Sequence, residues 1–103
     1  MTAVSAGSAR VRVELPAALG EVTGGARHVD VDVTEPATVA DVLTVLSERF
    51  PLLDRRIRDE RGEVRRFVNV YVDGDDIRGG DSLATPVGPE SVVHVLPSIA
   101  GGG

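Results

Sequence analysis

The sequence contains no cysteine. That absence removes disulfides, thiolate metal sites and cysteine nucleophiles together. Lysine is absent too, and all eleven basic residues are arginine. No side-chain amine is present to accept an isopeptide bond, so the chain cannot build lysine-linked chains of itself. No apolar run is long enough to span a membrane as a helix. Positive charge is in deficit, with 16 acidic residues against 11 basic ones and a net charge of -5. Phosphate backbones and anionic membranes call for a basic surface, so neither nucleic acid nor membrane is expected as a partner. An acidic domain suits a basic protein partner.

What is present fits one compact domain. The chain has 103 residues, of which 42% are apolar, enough for one core and too few for two. Residues 1–8 are small and polar, and are expected to be a disordered lead-in of a cytoplasmic protein. The domain proper is expected over 9–97, with a flexible tail over 98–103.

Two runs alternate strictly. Val11, Val13 and Leu15 share one face of the first, and Val29, Val31 and Val33 one face of the second, which predicts an antiparallel pair of half-buried strands. Thr23-Gly24-Gly25 between them reads as a turn; no phosphate-loop pattern surrounds its glycines. Thr38 then has the place of an N-cap with Asp41 three positions on, and Val39, Val42, Leu43, Leu46 and Phe50 follow helical spacing up to Pro51. That is an amphipathic helix of about three turns. Residues 54–66 interleave arginines with carboxylates, the pattern of a solvated surface, with Leu52, Leu53 and Ile57 as anchors for a short helical turn. Phe67–Val72 reads as a strand with Val68, Val70 and Val72 inward and Phe67, Asn69 and Tyr71 outward. Residues 73–76 read as a turn, and Ser91–Leu96 as the last strand. Helices on one side of a mixed sheet make the fold class α+β, with the first and last strands adjacent and central.

No catalytic constellation emerges. Asp73-Gly74-Asp75-Asp76 lacks the residue order and distant glutamate of a calcium loop. His28 and His94 fall in different strands with no cysteine to join them, so no metal site is expected. Ser82 and Ser91 have no nucleophile-elbow context. The chain is expected to be a partner of enzymes rather than an enzyme. Surfaces therefore carry the argument. In the last strand Val93 and Val95 alternate with Val92, His94 and Leu96. One set must face the core. The other, with Phe67, Asn69 and Tyr71, would form an exposed and partly apolar sheet face, the kind of patch that marks a partner site. The strand bearing it runs straight into Pro97-Ser98-Ile99-Ala100-Gly101-Gly102-Gly103. A terminus without side chains is thin enough to enter a narrow pocket.

Phe67-Val68-Asn69-Val70-Tyr71-Val72-Asp73-Gly74-Asp75-Asp76-Ile77-Arg78, Leu83-Ala84-Thr85-Pro86 and Val93-His94-Val95-Leu96-Pro97-Ser98-Ile99-Ala100-Gly101-Gly102 together resemble the ThiS/MoaD family of ubiquitin-like sulfur carriers, and within it the CysO-type branch of actinobacteria. The resemblance implies a β-grasp fold, with a mixed sheet packed on one main helix. It implies that an E1-like adenylyltransferase/sulfurtransferase uses ATP to adenylate the C-terminal glycine, and that sulfur then replaces AMP to leave a thiocarboxylate. It implies a sulfur-accepting enzyme such as a PLP-dependent cysteine synthase, followed by a metalloprotease that releases cysteine. The carrier itself binds no cofactor and no metal. By the same resemblance Leu96 meets the E1-like partner and Ile99 follows it into the groove. Phe67, Tyr71 and His94 of the sheet, with Ala100 and Gly101 of the tail, complete the expected partner-binding set. Family members usually stop at Ala-Gly-Gly, and this chain has one glycine more. The activated residue is thus either Gly103 or, after trimming, Gly102. Two other family roles stay open, a molybdopterin synthase small subunit and a ubiquitin-like protein modifier. A plain binding module with an incidental glycine tail is the remaining reading.

Overall fold

The structure is a computed structural model and describes residues 7–97. Strand β1 (Ser8–Glu14) and strand β2 (His28–Thr34) alternate buried and exposed positions along their length. They pair antiparallel with Val11 opposite Val31, and β-branched side chains on one face suit a pleated, half-buried surface. β1 begins at Ser8, one position before the alternation in the sequence became visible. The connection between the strands contains a short 3-10 helix, Ala17–Val22, too brief to leave a periodic signal.

Strand β3 (Ala37–Thr38) leads into helix α1 (Val39–Arg49). Thr38 caps the helix as expected. Its side chain accepts from the Asp41 amide at 3.4 Å, and the Asp41 carboxylate accepts from the Thr38 amide at 2.8 Å. Such a reciprocal cap stabilises a helix start by about 1 kcal/mol. Val39, Val42, Leu43 and Leu46 form the buried stripe.

Pro51 ends α1 and also starts helix α2 (Pro51–Ile57). Proline suits the first helical position, where its missing N–H is not needed. The structure thus replaces the expected short turn by a seven-residue helix. Leu53 and Ile57, four apart, are fully buried, whereas Leu52, expected as a third anchor, is 59% exposed.

Strand β4 (Val68–Val72) buries Val70 and Val72. The expected four-residue turn shrinks to Asp73 and Gly74, with φ of 50° and 92°. Two successive left-handed residues make the tight hairpin connection, and glycine takes the second place without a Cβ penalty. Asp75–Asp76 become strand β5, the sheet edge. Strand β6 (Pro86–Val87) pairs with β3 in a separate two-stranded sheet, and strand β7 (Val92–Pro97) closes the chain.

The main sheet has the order β2-β1-β7-β4-β5. β1 and β7 run parallel at its centre, and every other pair is antiparallel. Valines from β1, β2, β4 and β7 meet the apolar stripes of α1 and α2 in one core. Truncating a buried leucine such as Leu43 or Leu46 to alanine would cost about 2–5 kcal/mol. The fold is α+β, a mixed sheet with its helices on one face. The other face is left, among the described residues, to side chains alone. Among the described residues, no helix is long and apolar enough to cross a membrane.

Candidate functional site

The uncovered face is read directly from register. Because pleating alternates side chains, Glu14, His28, His94 and Tyr71 stand in one row across the sheet, Glu14 between the two histidines and His94 between Glu14 and Tyr71. Asp76 extends the row at the edge, opposite Tyr71. One step toward the end of β7, Leu96 faces Asn69.

A shallow groove of about 250 Å³ runs over this region, lined by Tyr71, Asp73, Gly74, Val92, His94 and Leu96. Tyr71, Val92 and Leu96 are half-buried, and His94 is exposed. Larger hollows exist elsewhere, such as one of about 360 Å³ between Glu63, Val64, Ile77, Arg78, Ser82 and Leu83. Position rather than size distinguishes the groove, because three of its lining residues belong to the strand that leads to the C-terminus.

Both ends of the groove are pinned. At the start of β7, the Asp73 amide donates to the Val92 carbonyl at 2.9 Å, and the Asp73 carboxylate accepts from the Val92 amide at 2.9 Å. This clip holds β4 and β7 together where the hairpin turns away. At the other end, the Arg78 guanidinium donates to Asn69 Oδ1 and to the Arg65 carbonyl, each at 2.8 Å. The same carbonyl accepts from the Val68 amide at 3.0 Å, closing the turn that precedes β4.

The sequence-predicted residues therefore divide. Tyr71, His94 and Leu96 are brought together on one face. Phe67 is not: it lies outside β4, in the turn closed by Arg65 and Val68, and is 64% exposed. Its apolar character mimicked the first residue of a strand, but the chain turns there. Ile99, Ala100, Gly101, Gly102 and Gly103 lie outside the described residues. Asp73 and Gly74 were missed as groove residues, since their turn chemistry gave no hint that the turn folds beside Val92.

The β1–β2 half of the face is different. Arg10 contacts Asp32 at 3.2 Å, and Arg12 reaches Glu14 at 3.6 Å and Asp30 at 3.8 Å. The hydrogen bond to Asp32, then its charge and that of Asp30, hold the Arg10 guanidinium still more firmly protonated than usual. All these groups are open to solvent, where water screens such pairs and they contribute little to stability. Their main effect is to make this half hydrophilic. Among the described residues, no group of three His, Asp or Glu side chains is arranged to hold a metal ion, although His28 and His94 flank Glu14.

Comparison with known proteins follows from this geometry. The family model of the ThiS family matches residues 13–102. The chain belongs to the ThiS family. It is similar to the sulfur carrier protein CysO of Mycobacterium tuberculosis, 33% identical over 94 residues that cover 89% of this chain and 98% of the relative. It is also similar to small archaeal modifier protein 1 of Haloferax volcanii, 37% identical over 89 residues, covering 86% and 97%. Among solved structures it superposes on a chain of the BexX/CysO complex of Amycolatopsis orientalis with a TM-score of 0.75 at 29% identity, covering 86% of this chain and 96% of that one. This ThiS family member has the ubiquitin-like β-grasp fold of a small sulfur carrier or modifier, and is not itself a catalyst.

Proposed function

We propose that the chain is a sulfur carrier whose C-terminal glycine is adenylated by an E1-like enzyme at the expense of ATP and then converted to a thiocarboxylate. The observation that carries this reading is the continuity of β7. One strand supplies Val92, His94 and Leu96 to the groove and passes straight on in sequence to Ile99-Ala100-Gly101-Gly102-Gly103. A partner that grips the groove therefore has the reactive end within reach. The six residues after Pro97 reach about 20 Å when extended, enough to pass from a docking surface into a nucleotide site.

The chemistry needs two steps. A terminal carboxylate oxygen attacks the α-phosphorus of ATP and pyrophosphate leaves. Sulfide from a donor then attacks the acyl carbon and AMP leaves with the bonding electrons. A carboxylate is a poor electrophile and the acyl-adenylate a good one. The thiocarboxylate is a nucleophile that keeps sulfide out of free solution. Its acceptor, in this reading, is an activated serine on a PLP-dependent cysteine synthase, after which a metalloprotease releases cysteine. The likeness to CysO supports that branch.

Intact-mass measurement tests the reading. With an E1-like enzyme, ATP and a sulfur source, the mass should rise by the difference between sulfur and oxygen. No rise with any such enzyme would overturn it. Deleting Gly103 decides the register of the end: retained conversion assigns the chemistry to Gly102, and lost conversion to Gly103.

The 37% identity to a small archaeal modifier favours a second reading, attachment of the same activated glycine to lysines of other proteins. Tail-dependent isopeptides in lysate would support it. The activation step is common to both.

A further inference from the structure

The groove carries charge of opposite sign at its two ends. At the start of β7, where the chain turns from β4 to β5, stand Asp73, Asp75 and Asp76, all exposed. Asp73 and Asp76 use one carboxylate oxygen each to accept a backbone amide, from Val92 and Arg78. These bonds fix their positions and leave their charge in place. At the end where β7 leaves the sheet stand Arg66 and Arg78, whereas Arg65 turns its Nε to the Arg55 carbonyl on α2. The two hydrogen bonds of Arg78 hold its charge beside the Asn69–Leu96 pair. Arg66 is exposed in the turn next to Val68, which is the register partner of Pro97. Among the described residues, none of these three arginines makes an ion pair. The ion-paired arginines are Arg10, Arg12, Arg58 and Arg61.

Asn69, which holds the Arg78 guanidinium, lies four residues from Asp73, so these two charges lie about 14 Å apart at ~3.4 Å per residue, with Asp76 opposite Tyr71 between them. That exceeds the screening length of about 8 Å at physiological ionic strength. Each end therefore attracts its own complement. A neutral apolar groove alone would accept a partner in either direction along the strands. The charge polarity removes that ambiguity, because reversed docking sets like charges face to face.

From this we infer that the protein which takes the tail is acidic at the mouth of its tail channel, opposite Arg66 and Arg78, and basic where it covers the Asp73–Asp76 hairpin. The complementarity orients docking so that the terminus points into the channel. The inference rests on the carrier reading above and adds the charge pattern of the partner to it.

The test is steady-state ATP–pyrophosphate exchange by the E1-like enzyme with the full-length chain as substrate, at low and high salt. Arg66 is exposed and makes no side-chain hydrogen bond or ion pair among the described residues, so Arg66→Glu should keep the wild-type thermal midpoint. It should raise KM about tenfold with kcat unchanged, and most of the effect should vanish in high salt. Arg66→Lys should restore KM, since charge and not shape is at issue. Asp73→Asn combined with Asp76→Asn keeps both capping oxygens while removing both charges, and should raise KM about threefold. Unchanged KM for Arg66→Glu at low salt would overturn the inference, as would a defect that persists in high salt or that lysine does not rescue. If wild-type chain supports no exchange at all, the carrier reading fails instead, so the two failures are distinguishable.

Discussion

The two halves of the uncovered sheet face share one pleat, one core and one set of backbone hydrogen bonds, yet they present opposite surfaces. Across β1 and β2, the outward positions are Arg10, Arg12, Glu14, Asp30 and Asp32, and they pair among themselves. Across β7 and β4, the outward positions include Val92, Leu96 and Tyr71, and among the described residues no element is laid over them. Self-paired charges keep their water and offer a partner little. Half-buried apolar groups gain from being covered. The difference teaches that docking is confined by what borders it. Arg12, opposite Val92 in register, is the fence between the halves.

Breaking the apolar half should give the largest effect. Leu96→Arg puts a charge on the apolar lining of the groove. It should lower kcat/KM for adenylation about 100-fold, as loss of an apolar anchor does, while circular dichroism stays that of the wild type. An unimpaired variant would mean that docking uses another surface.

Removing the fence should have a moderate effect. Arg12→Leu would join Val92 to a new apolar side chain and extend the patch across β1. The expected outcome is self-association in sedimentation at concentrations where the wild type stays monodisperse. Its cost to stability should stay under about 1 kcal/mol, since the pairs it removes are solvent-exposed.

The smallest effect lies away from both halves and serves as a control. In the 59–63 loop, the Glu63 amide and then the Arg61 amide donate to Asp59, and Arg61 adds its charge, so the carboxyl is held below the usual carboxylate range. A depressed folded pKa contributes stability that is fully present above the unfolded value and is lost as pH falls through the folded one. Amide exchange at Arg61 and Glu63 should therefore quicken only in strong acid, and Asp59→Asn should quicken it at neutral pH. Neither change should alter docking.

Much of this was legible beforehand, and for physical reasons. Alternation fixed the faces of β1, β2 and β4 because a period of two admits one buried face, whereas Val92-Val93-His94-Val95-Leu96 is apolar on both sides and only pairing decided its buried set. Thr38 and Asp41 announced α1 because a helix start must satisfy orphan amides locally. The elements that escaped notice were those held by partners distant in sequence. The strands β3 and β6 have two residues each and exist only because they find each other. The placement of Phe67 in a turn depends on the Arg65 carbonyl, which Arg78 secures from thirteen residues away. Leu52 and Leu53 are adjacent and alike, and only the docking of α2 decided that Leu53 is buried and Leu52 is not.

The sequence by itself determined the fold class, the faces of β1, β2 and β4 and the presence of a glycine end behind a docking strand, because periodicity, capping and composition are local properties. Only the tertiary structure decided which outward residues become neighbours. Pairing β7 parallel to β1 and antiparallel to β4 set Tyr71 and Leu96 beside His94, placed Asp73 at one end of the groove and Arg78 at the other, and stood Arg12 at its border. Such contacts are properties of register, and register is settled when the whole sheet closes over one core.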